Sequence, residues 1–412
     1  MRKVPKLRFK EFSDEWEEKK LGDFITINGR IGFRGYTVND IVDSKEKGAI
    51  ALSPTNLLEN KIDFSKLTYI SNFKYEESPE IKLQVNDIVL VKTGSSYGKV
   101  GFLTNLPWKA TINPQLVIIK TKLNKSFIYY FMNTFIFQNQ IEKNIVGGAI
   151  PTLSQESIKK FKFFYTTIQE QEKIANFLSS IDKKIYLTEE KLELFREYKK
   201  GVMQKVFSQE LRFKDSNGND YPEWEEKRLG EILKEYYLGS NYKNSDKLSN
   251  FPLIKMGNLD RGKINLKKIE YIDIKENILE KDRLEYGTLL FNTRNTPELV
   301  GKVAIWKNEL PQAYFNSNLM KMVFDNNFFM NYKFNTNDMI EKLKGIATGT
   351  TSVGAIYTKD LLKLVVVIPP SLEEQQKIAD FLSSIDNKIE SIEKELEGLK
   401  EFKKGLLQQM FV

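Results

Sequence analysis

Residues Gln169 to Phe207 read QEQEKIANFLSSIDKKIYLTEEKLELFREYKKGVMQKVF, and Glu373 to Phe411 read EEQQKIADFLSSIDNKIESIEKELEGLKEFKKGLLQQMF. The offset is 204 residues with no gap, and 22 of 39 positions are identical. A match of this length is a duplication. It divides the chain into two halves, each a larger irregular region followed by one long helix.

The heptad-spaced positions of the first copy are Ile174, Leu178, Ile181, Ile185, Thr188, Leu192, Phe195, Lys199, Val202 and Val206. Those of the second are Ile378, Leu382, Ile385, Ile389, Ile392, Leu396, Leu399, Lys403, Leu406 and Met410. Alternating steps of four and three over about five heptads make a coiled-coil seam. Lys199 and Lys403 interrupt it at the same place, and the neighbouring Tyr198 and Phe402 are expected to take over packing through a stutter-like phase shift. Thr167 and Ser371 are expected to cap the helices, with Glu170 and Glu374 completing capping boxes. Each seam needs a partner. Burial of one against the other, antiparallel within the chain, gives a pseudo-two-fold arrangement with the irregular regions at opposite ends; pairing with another chain is the alternative. About 36 helical residues span roughly 54 Å, more than one DNA turn of about 34 Å.

The opening segments repeat as well. Leu7-Arg8-Phe9-Lys10 returns at 211–214, and Trp16-Glu17-Glu18-Lys19-Lys20-Leu21-Gly22 returns as Trp224-Glu225-Glu226-Lys227-Arg228-Leu229-Gly230. Leu21 and Leu229 are expected to enter the first short helix of each region. The polar tract 214–222 (KDSNGNDYP) reads as a linker. Strands are expected near 50–52, 88–92, 99–103, 116–120 and 161–165, and near 253–255, 288–292, 302–306, 319–324 and 364–368. Helices are expected near 127–143 and 328–344. The turns 147–151 and 349–354 are rich in small residues. Gly98-Lys99-Val100 matches Gly301-Lys302-Val303, yet the preceding loops, Gly94-Ser95-Ser96-Tyr97 and Arg294-Asn295-Thr296-Pro297-Glu298-Leu299-Val300, differ outright. A shared framework with unlike loop tips suits two readers of different targets.

The 412 residues contain neither cysteine nor histidine and carry a net charge of +8. Disulfides, thiol nucleophiles, histidine bases and the usual zinc sites are thereby excluded. The two helical repeats contribute +1 and −3, leaving +10 on the remaining regions, a field that suits a polyanion such as DNA. No run approaches the roughly 20 apolar residues of a membrane helix. The opening MRKVPKLRFKEF lacks a signal core, so a cytoplasmic location is expected.

Catalytic motifs are sparse. Gly94–Val100 is one residue short of a P-loop and has Val100 where a magnesium-holding Ser/Thr belongs. Asn113-Pro114-Gln115-Leu116 lacks the second proline and the aromatic with which amino-methyltransferases grip a flipped base. Asp63 with Glu80 and Lys82 is the nearest approach to a metal-dependent nuclease triplet. The remaining chemistry is binding. Lys92, Thr93, Ser95, Ser96, Tyr97 and Lys99 surround one loop; Asn292, Arg294, Asn295, Thr296 and Lys302 surround its counterpart. Arg and Asn can read purine edges, while Lys and Ser/Thr suit phosphates. Arg30, Arg34 and Tyr36, then Ser240, Asn241, Tyr242 and Lys243, and after these Lys255, Asn258 and Arg261, complete the candidate DNA-binding set.

Over its whole length the chain resembles specificity subunits of type I restriction–modification systems. The resemblance rests on the paired Gln-x-x-Ile-Ala-x-Phe-Leu-Ser-Ser-Ile-Asp segments (171–182 and 375–386), Lys-Lys-Gly at 199–201 and 403–405, the Trp-Glu-Glu-Lys openings and the Gly-Lys-Val blocks. It implies an α+β chain: two mixed α/β target recognition domains, 1–166 and 209–370, alternating with conserved helical regions, 167–208 and 371–412, which pair as an antiparallel coiled coil. The N-terminal residues are expected to return near the second helix. Each recognition domain would read one half of a bipartite double-stranded DNA site, with the helices as spacers. Two modification subunits holding S-adenosylmethionine, and restriction subunits using ATP and magnesium, would supply the catalysis. This chain would then hold no cofactor and have no activity of its own. A coiled-coil scaffold without DNA specificity and a carboxylate-based nuclease are the competing readings.

Overall fold

The computed structural model describes residues 4–58, 61–146, 151–349 and 353–412. Of the expected turns 147–151 and 349–354, residues 147–150 and 350–352 lie outside the described residues. The chain forms two compact units: Met1–Glu190 with Lys394–Val412, and Lys191–Glu393.

In the first unit, Ile25–Gly29, Leu116–Thr121, Ile88–Val91 and Val100–Phe102 form an antiparallel sheet in that order. A second sheet orders Ile41–Val42, Tyr69–Ser71, Gly48–Leu52 and Ala110–Ile112, the last two parallel. Strand Ile88–Val91 is apolar throughout because both of its faces are covered. Val89 and Val91 join Ile50, Leu52, Ile112 and Ile118 in one core. Ile88 and Leu90 face the other way, into a core with Phe127, Phe131, Ile174, Leu178, Leu406 and Met410. The long helices therefore help to build that second core.

The second unit repeats this plan. Glu235–Leu238, Leu319–Val323, Leu289–Asn292, Val303–Ile305 and Gly262–Lys263 form one sheet. Asn244–Ser245, Glu270–Ile272, Pro252–Ile254 and Tyr314–Phe315 form the other, with the same parallel last pair.

The helices expected near 127–143 and 328–344 are each two helices: Lys125–Met132 with Phe135–Asn144, and Asn327–Phe334 with Asn337–Ile346. Thr134 and Thr336 make the breaks, their hydroxyls accepting from Phe137 N and Met339 N as caps. Leu21–Asp23 and Leu229–Ile232 are the short helical turns expected after the openings. The openings themselves are strands. Glu17–Lys20 pairs with Lys162–Tyr165, and Glu225–Arg228 with Val365–Ile368.

The duplicated helices run Ile168–Phe207 and Leu372–Gln409. Thr167 and Ser371 cap them through Glu170 N and Glu374 N, both at 3.3 Å. Among the described residues the carboxylates' hydrogen bonds go to partners other than the cap residues. Glu170 accepts from Arg8 at 2.7 and 2.9 Å, from Trp16 Nε1 at 3.1 Å and from the Thr166 hydroxyl. Glu374 accepts from Trp224 Nε1 at 3.1 Å and Arg212 at 3.4 Å. The opening segment does return to the second helix: Leu7 N donates to Gln409 O at 2.9 Å, and Trp16 packs edge-on against Phe411.

Within the first unit, residues 168–190 meet 394–409 in antiparallel order. Ile174 and Leu178 share a core with Met410 and Leu406, then Asp182 meets Lys403 and Glu189 meets Lys400. Within the second unit, Asp386 meets Lys199 and Glu393 meets Arg196. Of the expected seam, Ile174, Leu178, Ile185, Leu192, Ile378, Leu382, Ile385 and Ile389 are buried, while Ile181 and Leu396 are half-buried.

The phase shift at the lysines does not occur. Tyr198 and Phe402 are each 52% exposed, whereas Lys403 is 7% exposed and inside the seam. Each lysine is held there by an aspartate of the opposite helix and by an aromatic ring beneath it: Tyr130 under Lys403 and Tyr332 under Lys199.

Candidate nucleic-acid interface

The first candidate loop joins Ile88–Val91 to Val100–Phe102. Its glycines adopt φ values of +103° at Gly94 and +81° at Gly98, conformations that side-chain-bearing residues resist. They fold the loop back, so that Gly98 N donates to Val91 O at 2.9 Å. Ser95 and Lys99 are exposed, and Lys92, Thr93 and Ser96 half-buried. None of these five side chains forms a hydrogen bond among the described residues. Tyr97 is committed: its hydroxyl donates to the Glu142 carboxylate at 3.2 Å, which raises its pKa.

The counterpart in the second unit is not a simple polar hairpin loop. Arg294–Asn295 is a strand that pairs with Gly354–Ala355, itself paired with Thr348–Gly349. Asn292 lies fully buried, its Oδ1 accepting from Arg294 N at 3.2 Å. It shapes the start of this strand and is closed to a ligand. Arg294 is exposed, with no side-chain partner among the described residues. Thr296 is also exposed, and Asn295 and Lys302 are half-buried.

The earlier candidates separate into two groups. Asn241 and Lys243 are exposed and make no side-chain hydrogen bond among the described residues. The others are engaged internally. Arg30 is 5% exposed, and its guanidinium donates to Ile112 O, Thr111 Oγ1 and Arg34 O at 3.1, 3.1 and 3.2 Å. Burial lowers its pKa from the usual arginine value. Arg34 donates to Glu77 O at 3.1 Å. Lys255 donates to Glu270 at 2.8 Å. Asn258 is buried, and its amide bridges Asn265 O and Lys268 O. Asn56 makes the same two bridges in the first unit, to Asp63 O and Lys66 O, so this asparagine belongs to the framework. Arg261 is half-buried, and its Nη1 has no hydrogen-bond partner among the described residues.

The residues that sequence reasoning missed, Asp282, Tyr130 and Tyr332, lie one layer deeper. Tyr242, 5% exposed, donates its hydroxyl to Asp282 at 2.5 Å, and Asp282 is completely buried. Nothing in the local sequence pairs residues 40 positions apart. Tyr130 and Tyr332 likewise donate to Asp182 and Asp386 at 2.8 and 2.7 Å. Their identical place in the two repeats was a usable signal.

The arrangement is two related sheet frameworks that present unlike exposed polar and basic tips. Among the described residues no group of three or more His, Cys, Asp or Glu could hold a metal ion, and no helix is long and apolar enough to cross a membrane.

Comparison with known proteins agrees with the duplicated plan. A family model described as "Type I restriction modification DNA specificity domain" matches residues 13–194 and again 221–401. The chain is 27% identical to the type I restriction enzyme MjaVIII specificity subunit of Methanocaldococcus jannaschii, over 96% of this chain and 91% of that one. It is 21% identical to the EcoKI specificity subunit of Escherichia coli, over 83% and 76%. Among solved structures, the S subunit of a type I restriction–modification system from M. genitalium aligns over 99% of both chains with a TM-score of 0.59 at 17% identity. With its specificity domain present twice, the chain belongs to the family of type I restriction–modification specificity subunits.

Proposed function

We propose that this chain is the sequence-specific DNA-binding subunit of a type I restriction–modification complex. The recognition domains, 1–166 and 209–370, each read one half of a bipartite target, and the helical regions, 167–208 and 371–412, set the spacer between the halves. One observation carries the reading: the two frameworks match down to the Asn56 and Asn258 bridges, while the exposed tips differ in chemistry. Arg294, Asn295, Thr296, Asn241 and Lys243 are the contact residues of the second domain; Lys92, Ser95, Ser96 and Lys99 are those of the first. Arginine and asparagine supply base readout there, and lysine and the hydroxyls supply phosphate anchoring.

The chain is non-catalytic in this reading. Two modification subunits that bind S-adenosylmethionine methylate adenine in the site, and restriction subunits that use ATP and magnesium cleave. The assembly works in the cytoplasm.

The test is to express Arg294→Ala with the cognate modification subunit and to sequence the methylated sites. Recognition relaxes at one half-site and persists at the other. Equal loss at both halves rejects the assignment, and binding that does not weaken with salt rejects a DNA-binding role.

A further inference from the structure

In each unit the segment that follows an edge strand of a sheet, Ile25–Gly29 or Glu235–Leu238, is tied into its domain, by different chemistry. In the first unit the tie is Arg30. It follows strand Ile25–Gly29 and reaches Thr111 and Ile112 on strand Ala110–Ile112. Its third bond, to Arg34 O, closes the segment on itself, and Tyr36 lies against the guanidinium at 5.5 Å. In the second unit the tie is Tyr242, which follows strand Glu235–Leu238. Its hydroxyl accepts from Leu279 N at 3.1 Å and donates to Asp282, which also accepts from Ser240 N at 3.2 Å.

Asp282 is fully buried, has no basic partner, and leaves Oδ1 without a hydrogen bond among the described residues. Burying a carboxylate this way disfavours the fold, so the packing around it does not explain it. What it does is hold Tyr242 at the centre of a segment whose flanks, Asn241 and Lys243, are exposed.

We propose that the segment after Arg30 joins the 92–99 loop in reading the first half-site, and that Arg30 in the first domain, and Tyr242 with Asp282 in the second, are positioning residues for base readout. Each fixes the conformation of its recognition segment, and thereby the base preference of one half-site, without touching DNA. The inference rests on the reading above, in which each domain reads one half-site. It assigns specificity to buried side chains that a map of DNA contacts would omit. It also explains how one framework carries two preferences: the segment is re-aimed by changing its anchor, with the sheets left intact.

The experiment uses the full chain with its modification subunit, comparing wild type, Arg30→Lys, Tyr242→Phe and Asp282→Asn by sequencing methylated sites and by thermal unfolding. Tyr242→Phe and Asp282→Asn are expected to lose base discrimination on the order of tenfold, the scale of one mismatched pair, in the same half-site. Arg30→Lys is expected to do so in the other half-site, with unfolding temperatures retained, so each variant is the folding control for the other half. Retention of the wild-type motif by all three variants overturns the proposal. So does equal loss in both half-sites, or weaker binding to every sequence with base preference unchanged, which is the mark of a phosphate contact. A wild-type complex that methylates no two-part site overturns the underlying reading, and the anchors with it.

Discussion

Lys403 Nζ lies 2.6 Å from Asp182 Oδ1, joining the end of the second long helix to the start of the first. The duplication repeats the contact in the other unit, where Lys199 Nζ lies 2.5 Å from Asp386 Oδ1. Each aspartate also accepts from a tyrosine of the recognition domain. One carboxylate thus gathers three elements. Lys403→Ala is expected to destabilise the first unit by about 2 kcal/mol, below the 3–5 kcal/mol of a fully buried pair because Asp182 is partly exposed. In a double-mutant cycle with Asp182→Asn, the combined cost should fall short of the sum of the single costs. Additive effects in denaturant unfolding would show that the pair contributes nothing.

The Arg8 and Arg212 clasps predict an asymmetry. Arg8 grips Glu170 with two bonds, and the Glu170 side chain is 1% exposed. Arg212 reaches Glu374 at 3.4 Å and leaves Glu374 Oε2 unpaired among the described residues. Arg8→Ala strands a buried charge and is expected to cost about 3 kcal/mol. Arg212 also donates to Tyr221 O, Pro222 O and Glu223, so the asymmetry is read from double-mutant cycles, in which the Arg212–Glu374 coupling is expected to be clearly smaller than the Arg8–Glu170 coupling.

Lys333 predicts a pH dependence. It is 4% exposed and lies over the Phe207 ring, at the seventh position of its helix, where the first unit has Phe131. Burial pushes its pKa from 10.5 down to about 8, with Asp338 opposing the shift. Between those values the unfolded chain holds a proton that the folded chain lacks. Stability from this group therefore rises with pH across that window, and the penalty is fully present below it. Lys333→Met is expected to raise the unfolding temperature by about 3 °C at neutral pH. Its advantage over wild type should shrink as pH rises toward 10, and a constant difference would place the charge elsewhere.

A fourth expectation concerns the openings. A Cβ on Gly22 would lie 2.7 Å from Lys159 Cβ and 2.8 Å from Lys159 O, whereas one on Gly230 would lie 3.2 Å from its nearest atom, Leu362 O. Gly22→Ala should cost about 1–3 kcal/mol as overpacking and Gly230→Ala less, measured by parallel thermal unfolding.

The framework was legible in the sequence where burial is two-sided, as in Ile88–Val91 and Leu289–Asn292, because an apolar run leaves few alternatives. It was illegible at Glu17–Lys20, a charged strand exposed along its length. Nothing in EEKK announces pairing; the backbone of Lys162–Tyr165 supplies it. The lysines of the seam were read as defects because heptad analysis registers polarity and cannot see a partner on another helix. At the interface, the divergence of the tips could be read directly. The engagement of Arg30 could not, since two of its three acceptors are backbone carbonyls, which leave no trace in the side-chain pattern. Asn258 could have been recognised: its counterpart Asn56 also precedes a leucine and also follows an apolar strand.

The order of synthesis gives the shared core of the first unit a temporal meaning. Leu406, Met410 and Phe411 pack with Trp16, Phe127, Ile174 and Leu178, yet residues 394–412 leave the ribosome about 200 residues after Glu190, about 10–40 s later at 5–20 residues per second. For that interval the first recognition domain stands open along the apolar strip that the last helix will cover. The second unit has no such wait: Phe207, which packs on Trp224 and Phe329, is made before them. The nascent chain thus carries a dated vulnerability, greatest on the half that is made first.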